Sequence, residues 1–414
     1  MVMVAGSTTE DPSVVGDGSR IVICGVTYAP NLGDGVIAEC MAHALKVISP
    51  SSSIMHVDLA AREGYGQVSV KGKRGLLFVM RAAPSFVRRL VVDAGLSVFL
   101  ARKALPKWRA LFRSGDIVII GGGHLLSDYN LNFPKKIELV TRLAHEVGAR
   151  MGFHAVGVSA NWSRRGTKLF AAALARCSFV ATRDAKSLER LEQSLPGIDI
   201  PKSTALDPGY LAKSCYSSVE ASTSGVGLNV SDPDELAQYA GNASIRDKYD
   251  ALWIALVKAY ADAGYKVNLF TNGAEEDESY LAHLADLASK EGVSGFSVIT
   301  RSITPSDLVA VIKGLDLLVG HRLHAQIVAF AHDVPSVALG WDDKLESQMA
   351  LMGRGEFVVP FGKPDADTVL EYGRKALAGQ VDGSKSRALA SQAQDDLLTS
   401  VRSIISSSPI AARV

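Results

Sequence analysis

Two imidazoles and one guanidinium lie within four consecutive positions of this sequence, at His321, Arg322 and His324. The preceding residues 316–320 (DLLVG) predict a buried strand, and the apolar spacing that follows predicts a helix. The free N–H groups in the first turn of a helix and the positive end of its dipole favour an anion. Arginine binds phosphate or carboxylate through paired hydrogen bonds, and histidine transfers protons near neutral pH. The triplet therefore predicts an anion site with an acid/base group.

The triplet also has a structural alternative. One histidine could cap the turn, and Arg322 could pair with an acid such as Asp316 or Asp342. Ligands of open α/β sheets bind beyond the carboxyl ends of the strands, where these residues are expected. That position favours the anion site over the structural alternative.

Two further cations follow predicted strand ends. Arg183 follows the strand in SFVATRD, and Lys344 follows the strand that ends in GWDDK. Both are candidate substrate-binding residues, as are His321 and Leu323 beside the arginine of the triplet. The alternatives are an ion pair between Arg183 and Asp184 and a solvated Lys344.

Two glycine-rich turns each connect a predicted strand to a predicted helix, at residues 30–35 (PNLGDG) and 121–128 (GGGHLLSD). Glycine lets the backbone approach a ligand closely, although it also allows a helix to pack tightly on a strand. Neither turn is a GxGxxG dinucleotide fingerprint or a P-loop with its lysine. Asp34 could cap a helix or hold a sugar hydroxyl. The candidate binding residues at these turns are Asn31, Gly33, Asp34, Gly122 and Gly123.

Other kinds of site lack their sequence signatures. His321 and His324 are three positions apart, but no HExxH or DxD-like carboxylate cluster accompanies them, so no metal site is predicted. No GxSxG motif of a serine hydrolase is present.

Length and composition predict two domains and a cytoplasmic protein. The chain has 414 residues, more than one core usually holds. Its 44 lysines and arginines nearly balance its 43 acids, so no nucleic-acid partner is expected. The four scattered cysteines are typical of reduced, buried thiols. No apolar run is long enough to span a membrane, and residues 1–19 predict a disordered leader.

Short apolar strands alternate with amphipathic helices along the chain. This pattern predicts an α/β fold with two Rossmann-like domains that face each other across a cleft. A polar, serine-rich stretch after LDPGYLA divides the pattern in two. The predicted parts are a leader 1–19, an N-terminal domain 20–212, a linker 213–225, a C-terminal domain 226–380, and a C-terminal helix and tail 381–414.

One segment of the N-terminal half, 64–113, does not fit the alternation. Between Lys71 and Arg113 it carries eleven lysines and arginines but one acid, Asp93, interleaved with apolar runs. The segment is either an insertion of helices with solvated basic residues or a basic amphipathic patch that contacts anionic lipid. The sequence leaves both readings open.

The motif GHRLHAQIVAFAHDVPSVALGWDDK resembles the signature of the polysaccharide pyruvyl transferase family, in particular its exopolysaccharide-type members. The resemblance extends over nearly the whole chain, through NLGDGVI, GGGHLLSD, VATRDAKSLERL and LDPGYL in that order. It implies a fold similar to the two-domain, GT-B-type glycosyltransferases, with the site between the domains.

The resemblance also implies a reaction. A pyruvyl group would pass from phosphoenolpyruvate to two hydroxyls of one sugar, forming a cyclic ketal and releasing phosphate, without a cofactor. Arg322 and His324 would contact the donor as catalytic residues, with His324 as general acid/base and Arg183 as a second arginine. The acceptor would be a polysaccharide or glycolipid precursor. A lipid-linked acceptor would give the basic segment a role in peripheral contact with the inner face of the membrane.

Two other functions remain open at this stage. A nucleotide-sugar-dependent glycosyltransferase would share the architecture, but no carboxylate specific for ribose or diphosphate is evident in the second half. A non-catalytic sugar- or anion-binding protein would bind without releasing phosphate. Protection from thermal unfolding by phosphoenolpyruvate or by a nucleotide sugar would separate these functions.

Overall fold

Two parallel six-stranded sheets form the framework of the chain. The computed structural model describes residues 18–66, 85–240, 245–360, 365–379 and 381–406. The strand order is β2-β1-β3-β4-β5-β6 in the N-terminal sheet and β12-β11-β10-β7-β8-β9 in the C-terminal sheet. The strands are β1 (Arg20–Gly25), β2 (Ser53–Asp58), β3 (Ile117–Gly121), β4 (Arg150–Val156), β5 (Val180–Thr182), β6 (Lys202–Thr204), β7 (Val226–Asn229), β8 (Val267–Phe270), β9 (Phe296–Val298), β10 (Leu317–Gly320), β11 (Ser336–Leu339) and β12 (Val358–Val359).

Helices connect the strands and cover both sheets. A π-helical turn joins α2 to α3, and 3₁₀ turns precede α7 and β12. The α-helices are α1 (Leu32–Ile48), α2 (Ser85–Phe99), α3 (Leu105–Leu111), α4 (Asn132–Glu146), α5 (Arg164–Leu174), α6 (Ala185–Ser194), α7 (Ala212–Cys215), α8 (Pro233–Ala240), α9 (Arg246–Asp262), α10 (Glu275–Lys290), α11 (Pro305–Ile312), α12 (Leu323–Ala331), α13 (Asp343–Leu351), α14 (Ala366–Ala378) and α15 (Gly383–Ser406).

The apolar strands are buried on both faces. In β1, Ile21 and Ile23 pack into one apolar cluster, whereas Val22 and Cys24 pack into another on the opposite face of the sheet. A parallel sheet covered by helices on both sides requires this continuous burial, which explains the unbroken apolar run in the sequence.

One apolar cluster joins the two domains. It contains Val36 of α1 and Ile23 of β1 from the first domain, and Leu308 of α11 and Val328 of α12 from the second. Leu397 of α15 belongs to the same cluster. A shared buried core of this kind holds the domains together more firmly than a polar interface would.

The last helix returns to the N-terminal sheet. The His154 Nδ1 atom on β4 is 2.8 Å from the Ser400 Oγ atom on α15, and the Asp396 carboxylate of α15 accepts a hydrogen bond from Leu206 N at 2.7 Å. Residues 381–406 thus pack on the first domain although they follow the second in sequence.

The structure confirms the predicted α/β class and the strands that the apolar runs predicted. It adds two short strands at sheet edges, β6 and β12, which the sequence analysis did not predict. The predicted basic insertion 64–113 forms α2 and α3 where it is described, and its residues 67–84, like residues 1–17 of the predicted leader, lie outside the described residues. Within the described part of the chain, no helix combines the length and the apolar character needed to cross a membrane.

Candidate active site

His324 and the first turn of α1 meet across the boundary between the domains. A Cβ atom placed on Gly33 would lie 2.6 Å from His324 Cβ and 2.7 Å from His324 Nδ1, closer than non-bonded atoms approach. Only the absence of a side chain at residue 33 lets the imidazole of α12 lie against the N-terminus of α1. Asn31 caps that N-terminus, accepting a hydrogen bond from Gly33 N at 3.3 Å.

A buried carboxylate faces the same imidazole. The Oδ2 atom of Asp207 lies 3.6 Å from His324 Nε2, an ion-pair distance slightly longer than a hydrogen bond. Asp207 is 0% exposed, and its Oδ1 atom accepts a hydrogen bond from Gly209 N at 2.9 Å. Burial alone would raise the pKa of Asp207, but His324 and Arg183 outweigh it and hold the pKa below its usual range. Asp207 is therefore a carboxylate that can orient His324.

Arg183 brings a buried positive charge to this carboxylate. Its Nη1 atom lies 3.8 Å from Asp207 Oδ2, and its Nε atom lies 3.8 Å from Asp184 Oδ2. The ion pair with Asp184 that the sequence allowed is thus present, although Asp184 also caps α6 through Ser187 N. Arg183 Nε and Nη2 are buried and have no hydrogen-bond partner among the described residues. Buried guanidinium donors without partners favour an anion beside them.

His124 and Lys344 lie near Arg183 and form with it the Arg183 cluster, in which the arginine and the lysine supply the positive charge. A Cβ atom on Gly157 would be 2.5 Å from His124 Nδ1 and 3.3 Å from Arg183 Nη2, so both side chains lie against that glycine. Burial lowers the pKa of His124 well below its usual value, and the charges of Lys344 and Arg183 lower it further. Burial also lowers the pKa of Lys344, as does Arg183, although Asp342, 3.4 Å away, partly compensates. The acids near these cations leave Arg183 Nε and Nη2 without hydrogen bonds, so the cluster would gain stability from a bound anion.

Asp34, on the first turn of α1, lies beside the second glycine turn. A Cβ atom on Gly123 would be 3.2 Å from Asp34 Oδ1, so the carboxylate faces the second glycine turn. Burial raises the pKa of Asp34, with His324 opposing and Asp207 reinforcing the rise. No hydrogen bond or ion pair of this carboxylate is present within the described residues. A raised pKa and an unpaired carboxylate are properties expected of a group that accepts a proton or a sugar hydroxyl.

Arg322 is already paired with acids of its own domain. Its Nε atom donates to Asp277 Oδ2 at 2.9 Å and its Nη2 atom to Asp277 Oδ1 at 2.7 Å. Nη2 also approaches Glu235 Oε2 at 3.4 Å. The partners are therefore Asp277 and Glu235 rather than Asp316 or Asp342. Burial would lower the pKa of Arg322, but these two acids raise it, so the guanidinium is charged and its charge is balanced.

His321 is part of the apolar core. It is 0% exposed, and its ring packs on Tyr249 with centroids 5.0 Å apart and on Trp253 at 5.8 Å. Burial lowers its pKa to about 3, with Arg322 contributing. His321 is therefore a neutral ring that positions the turn after β10, on which Arg322 and His324 lie.

The remaining predicted residues support the turns. Leu323 begins α12 and packs, half-buried, on the cluster shared by the domains. Gly122 has a φ of 74°, and a Cβ there would lie 2.3 Å from Ile37 Cγ2, so this glycine permits close packing of α1 on β3. Gly123, with a φ of 70°, keeps the backbone open beside Asp34.

A cavity of about 200 Å³ lies between the loops of the two domains. Tyr28 and Leu32 line it from the first domain, and Glu275, Arg301 and Ser302 line it from the second. It adjoins the loop that leads into Asn31–Asp34. An aromatic ring beside charged and hydroxyl groups suits a polar organic ligand.

Two residues of this site, His124 and Asp207, were not among the residues predicted from the sequence. Both lie in the motifs GGGHLLSD and LDPGYL, directly after strands β3 and β6. A histidine or aspartate in the first turn beyond a parallel strand is the signal that would have found them. Within the described residues, no group of three or more His, Cys, Asp and Glu side chains is arranged to hold a metal ion.

Solved structures share the architecture at low sequence identity. UDP-GlcNAc 2-epimerase from Methanocaldococcus jannaschii matches with a TM-score of 0.52 and 9% identity, over 88% of this chain and 94% of that one. UDP-N-acetylglucosamine 2-epimerase from Rickettsia bellii matches with a TM-score of 0.50 and 11% identity, over 94% and 97%. Trehalose 6-phosphate synthase from Burkholderia multivorans gives a TM-score of 0.48 at 10% identity, over 93% and 95%. The two epimerase matches confirm the two-domain, GT-B-type fold and show the fold alone.

The sequence comparison identifies the family. The chain matches none of the curated proteins with which it was compared. A family model described as polysaccharide pyruvyl transferase matches residues 31–343, from the cap of α1 to the start of α13. This range contains Asp34, His124, Arg183, Asp207 and His324, and it covers well over half of the chain. The chain therefore belongs to the polysaccharide pyruvyl transferase family and transfers pyruvyl groups to a saccharide acceptor.

Proposed function

We propose that the donor is phosphoenolpyruvate and that the product is a cyclic pyruvate ketal on a sugar of a polysaccharide or glycolipid precursor. The observation that carries this proposal is the Arg183 cluster, whose Arg183 lies 3.8 Å from Asp207, the carboxylate that also approaches His324 at 3.6 Å. Phosphoenolpyruvate has a phosphate and a carboxylate, so it needs cationic contacts at two points. The cluster supplies one of them, and Arg322 with the N-terminus of α12 supplies the other.

The chemistry places an acid and a base on opposite sides of the donor. His324, oriented by Asp207, protonates the methylene carbon of the enol, which leaves positive charge on the adjacent carbon. A sugar hydroxyl attacks that carbon while Asp34 accepts its proton. Phosphate then departs with the proton of the second hydroxyl, which closes the ring. Asp34 then gives its proton to solvent and His324 takes one up, so each turnover moves the equivalent of one hydroxyl proton to the new methyl group and the other to phosphate. No oxidation state changes, and no redox cofactor is needed.

The acceptor sugar would bind on the side of Asp34. The adjoining cavity presents the Tyr28 ring, on which a sugar can stack, and polar groups of Glu275, Arg301 and Ser302. Tyr28 itself rests edge-on against Tyr65, with ring centroids 5.1 Å apart, so its position is supported.

Thermal unfolding with millimolar phosphoenolpyruvate tests the donor. A ligand at 100 times its Kd stabilises the folded state by about 2.7 kcal/mol, enough for a clear rise in Tm. We expect the rise in the wild type and in Arg142→Ala, an exposed arginine paired with Glu138 and Glu146 on α4. The rise should be lost in Arg183→Ala and in Arg322→Ala.

Phosphate release in the presence of saccharide acceptors then tests the reaction. Stabilisation by UDP- or GDP-sugars without any effect of phosphoenolpyruvate would favour the glycosyltransferase alternative instead. Binding of phosphoenolpyruvate without phosphate release from any acceptor, in a wild type that keeps the full Tm rise, would favour a non-catalytic binding protein.

A further inference from the structure

Helix α2, in the basic segment of the first domain, carries an exposed apolar stripe. Leu90 is 65% exposed, Val91 45% and Val98 54%. Leu90, Ala94 and Val98 are four residues apart, so they lie along one side of the helix, with Val91 beside them. Single exposed valines are common on protein surfaces, but a continuous row on one helix indicates a contact surface.

The opposite side of α2 is anchored to the domain. Leu96 and Phe99 pack against the apolar cluster of the N-terminal sheet. Asp93 forms ion pairs with Lys135 of α4 and with Arg165 of α5, the latter at 3.2 Å. The orientation of the helix is therefore fixed, and the apolar stripe faces away from the protein.

Two basic residues follow the apolar stripe along the chain. Arg102 and Lys103 follow α2 in the π-helical turn and are exposed. Neither forms an ion pair within the described residues. Asp93, the acid of this segment, is neutralised by its two cationic partners. The surface formed by Leu90, Val91, Val98, Arg102 and Lys103, called here the α2 face, is thus apolar with a positive edge.

Helix α2 contacts the start of α4, which follows the carboxyl end of β3. The loop after β3, which carries His124, leads into α4, and α2 packs on the start of that helix. There Lys135 Nζ donates to Ser97 Oγ at 2.8 Å, and Lys136 Nζ lies 5.8 Å from the centre of the Phe99 ring. A surface that held the α2 face would therefore be close to the carboxyl ends of the strands.

We propose that the α2 face docks the protein on an anionic lipid bilayer. The leucine and valines would enter the boundary between headgroups and acyl chains, and Arg102 and Lys103 would contact anionic headgroups. Neither an uncharged bilayer nor a free anion offers both interactions at once. This inference does not depend on the identity of the donor or of the acceptor sugar.

Co-sedimentation of the full-length protein with vesicles tests the proposal. The vesicles are phosphatidylcholine with or without phosphatidylglycerol, at physiological salt. We expect the wild type to sediment with the anionic vesicles only. The double variant Val91→Asp/Val98→Asp should reduce that binding by at least about tenfold. The double variant Arg102→Glu/Lys103→Glu should reduce it by about fivefold for each positive charge removed. Val298→Asp, at a valine that is 46% exposed on the other domain, is the matched control and should bind as the wild type does.

Two results would overturn the proposal. One is absence of wild-type binding to anionic vesicles, or equal binding by the wild type and both α2-face variants. The other is a wild type that is dimeric without lipid while Val91→Asp/Val98→Asp is monomeric by light scattering, which would assign the face to a second copy of the chain. An unchanged Tm in each variant shows that the fold is intact.

Discussion

Replacement of Gly33 by alanine tests whether the contact between α1 and His324 holds the two halves of the site together. The new Cβ would lie 2.6 Å from His324 Cβ, whereas carbon atoms pack best about 3.5–4.0 Å apart, so the two atoms must separate by about 1 Å. The neighbouring atom belongs to the base of the side chain, close to the backbone of α12. A rotamer change of His324 cannot relieve the clash, and the helices themselves must shift.

Two opposing effects set the expected change in the free energy of unfolding of Gly33→Ala. Overpacking of this kind costs about 1–3 kcal/mol, and a contact fixed by backbone on both sides belongs at the upper end. Alanine in place of glycine in a helix returns up to about 1 kcal/mol. We therefore expect Gly33→Ala to lower the free energy of unfolding by about 1–2 kcal/mol, or a Tm loss of several degrees. Activity should fall further, by about 100-fold, because a displacement of about 1 Å is enough to misplace a catalytic group.

The assay is a double-mutant cycle read by thermal unfolding, with phosphate release as the second measurement. His324→Gly removes the Cβ that Gly33→Ala would strike, so in that background the alanine should be neutral or stabilising. Gly197→Ala is the matched control, since a Cβ at Gly197 has no neighbour within 4 Å. A Tm for Gly33→Ala within one degree of the wild type, or the same loss in both backgrounds, would refute the reasoning.

Two pH-dependent predictions follow from the lowered pKa values of Lys344 and His321. Burial and Arg183 lower the pKa of Lys344, so this lysine loses its charge as the pH rises into the alkaline range. The stabilisation by the donor should therefore fade there in the wild type. It should persist in Lys344→Arg, because the guanidinium remains charged. Superimposable pH profiles of the two proteins would contradict this role. The second prediction concerns His321. Burial against Tyr249 and Trp253 lowers its pKa from 6.5 to about 3, so between these pH values the unfolded state binds a proton that the folded state does not. The folded state therefore loses stability as the pH falls from 6.5 towards 3. His321→Phe should therefore lose less Tm between pH 7 and pH 5 than the wild type, and an equal loss would show that the proton binds elsewhere.

Strands buried on both faces could be predicted because their apolar residues form an unbroken run, without alternating polar positions. Apart from Arg20 at its start, β1 is apolar in sequence, as is β3, for the same reason that both are buried in the structure. The edge strands β6 and β12 escaped prediction because they are three and two residues long, and β6 (KST) is polar and partly exposed. Such strands are specified by the neighbour to which they hydrogen-bond rather than by their own composition.

The site was predictable where one motif carries several residues, and not where residues of distant segments combine. His324 and Arg322 were found together because they share a turn. Asp207 acquires its role from His324, 117 positions later in the sequence, and from Arg183, and neither contact leaves a pattern in the sequence. His124 likewise joins the Arg183 cluster only when the fold brings the charge of Lys344, from the other domain, close to it.

The two arginines of the site differ in charge balance, although the sequence suggested equivalent roles. Arg322 is neutralised by Asp277 and Glu235, so it offers directional hydrogen bonds without much net charge. Arg183 has partners 3.8 Å away and buried donors that lack partners, so it still has charge to offer. A trianionic phosphoenolpyruvate would therefore be attracted mainly by the Arg183 cluster and aligned by Arg322. Loss of Arg183 should then weaken donor binding most at low salt, where unscreened charge matters, whereas loss of Arg322 should weaken it at all salt concentrations.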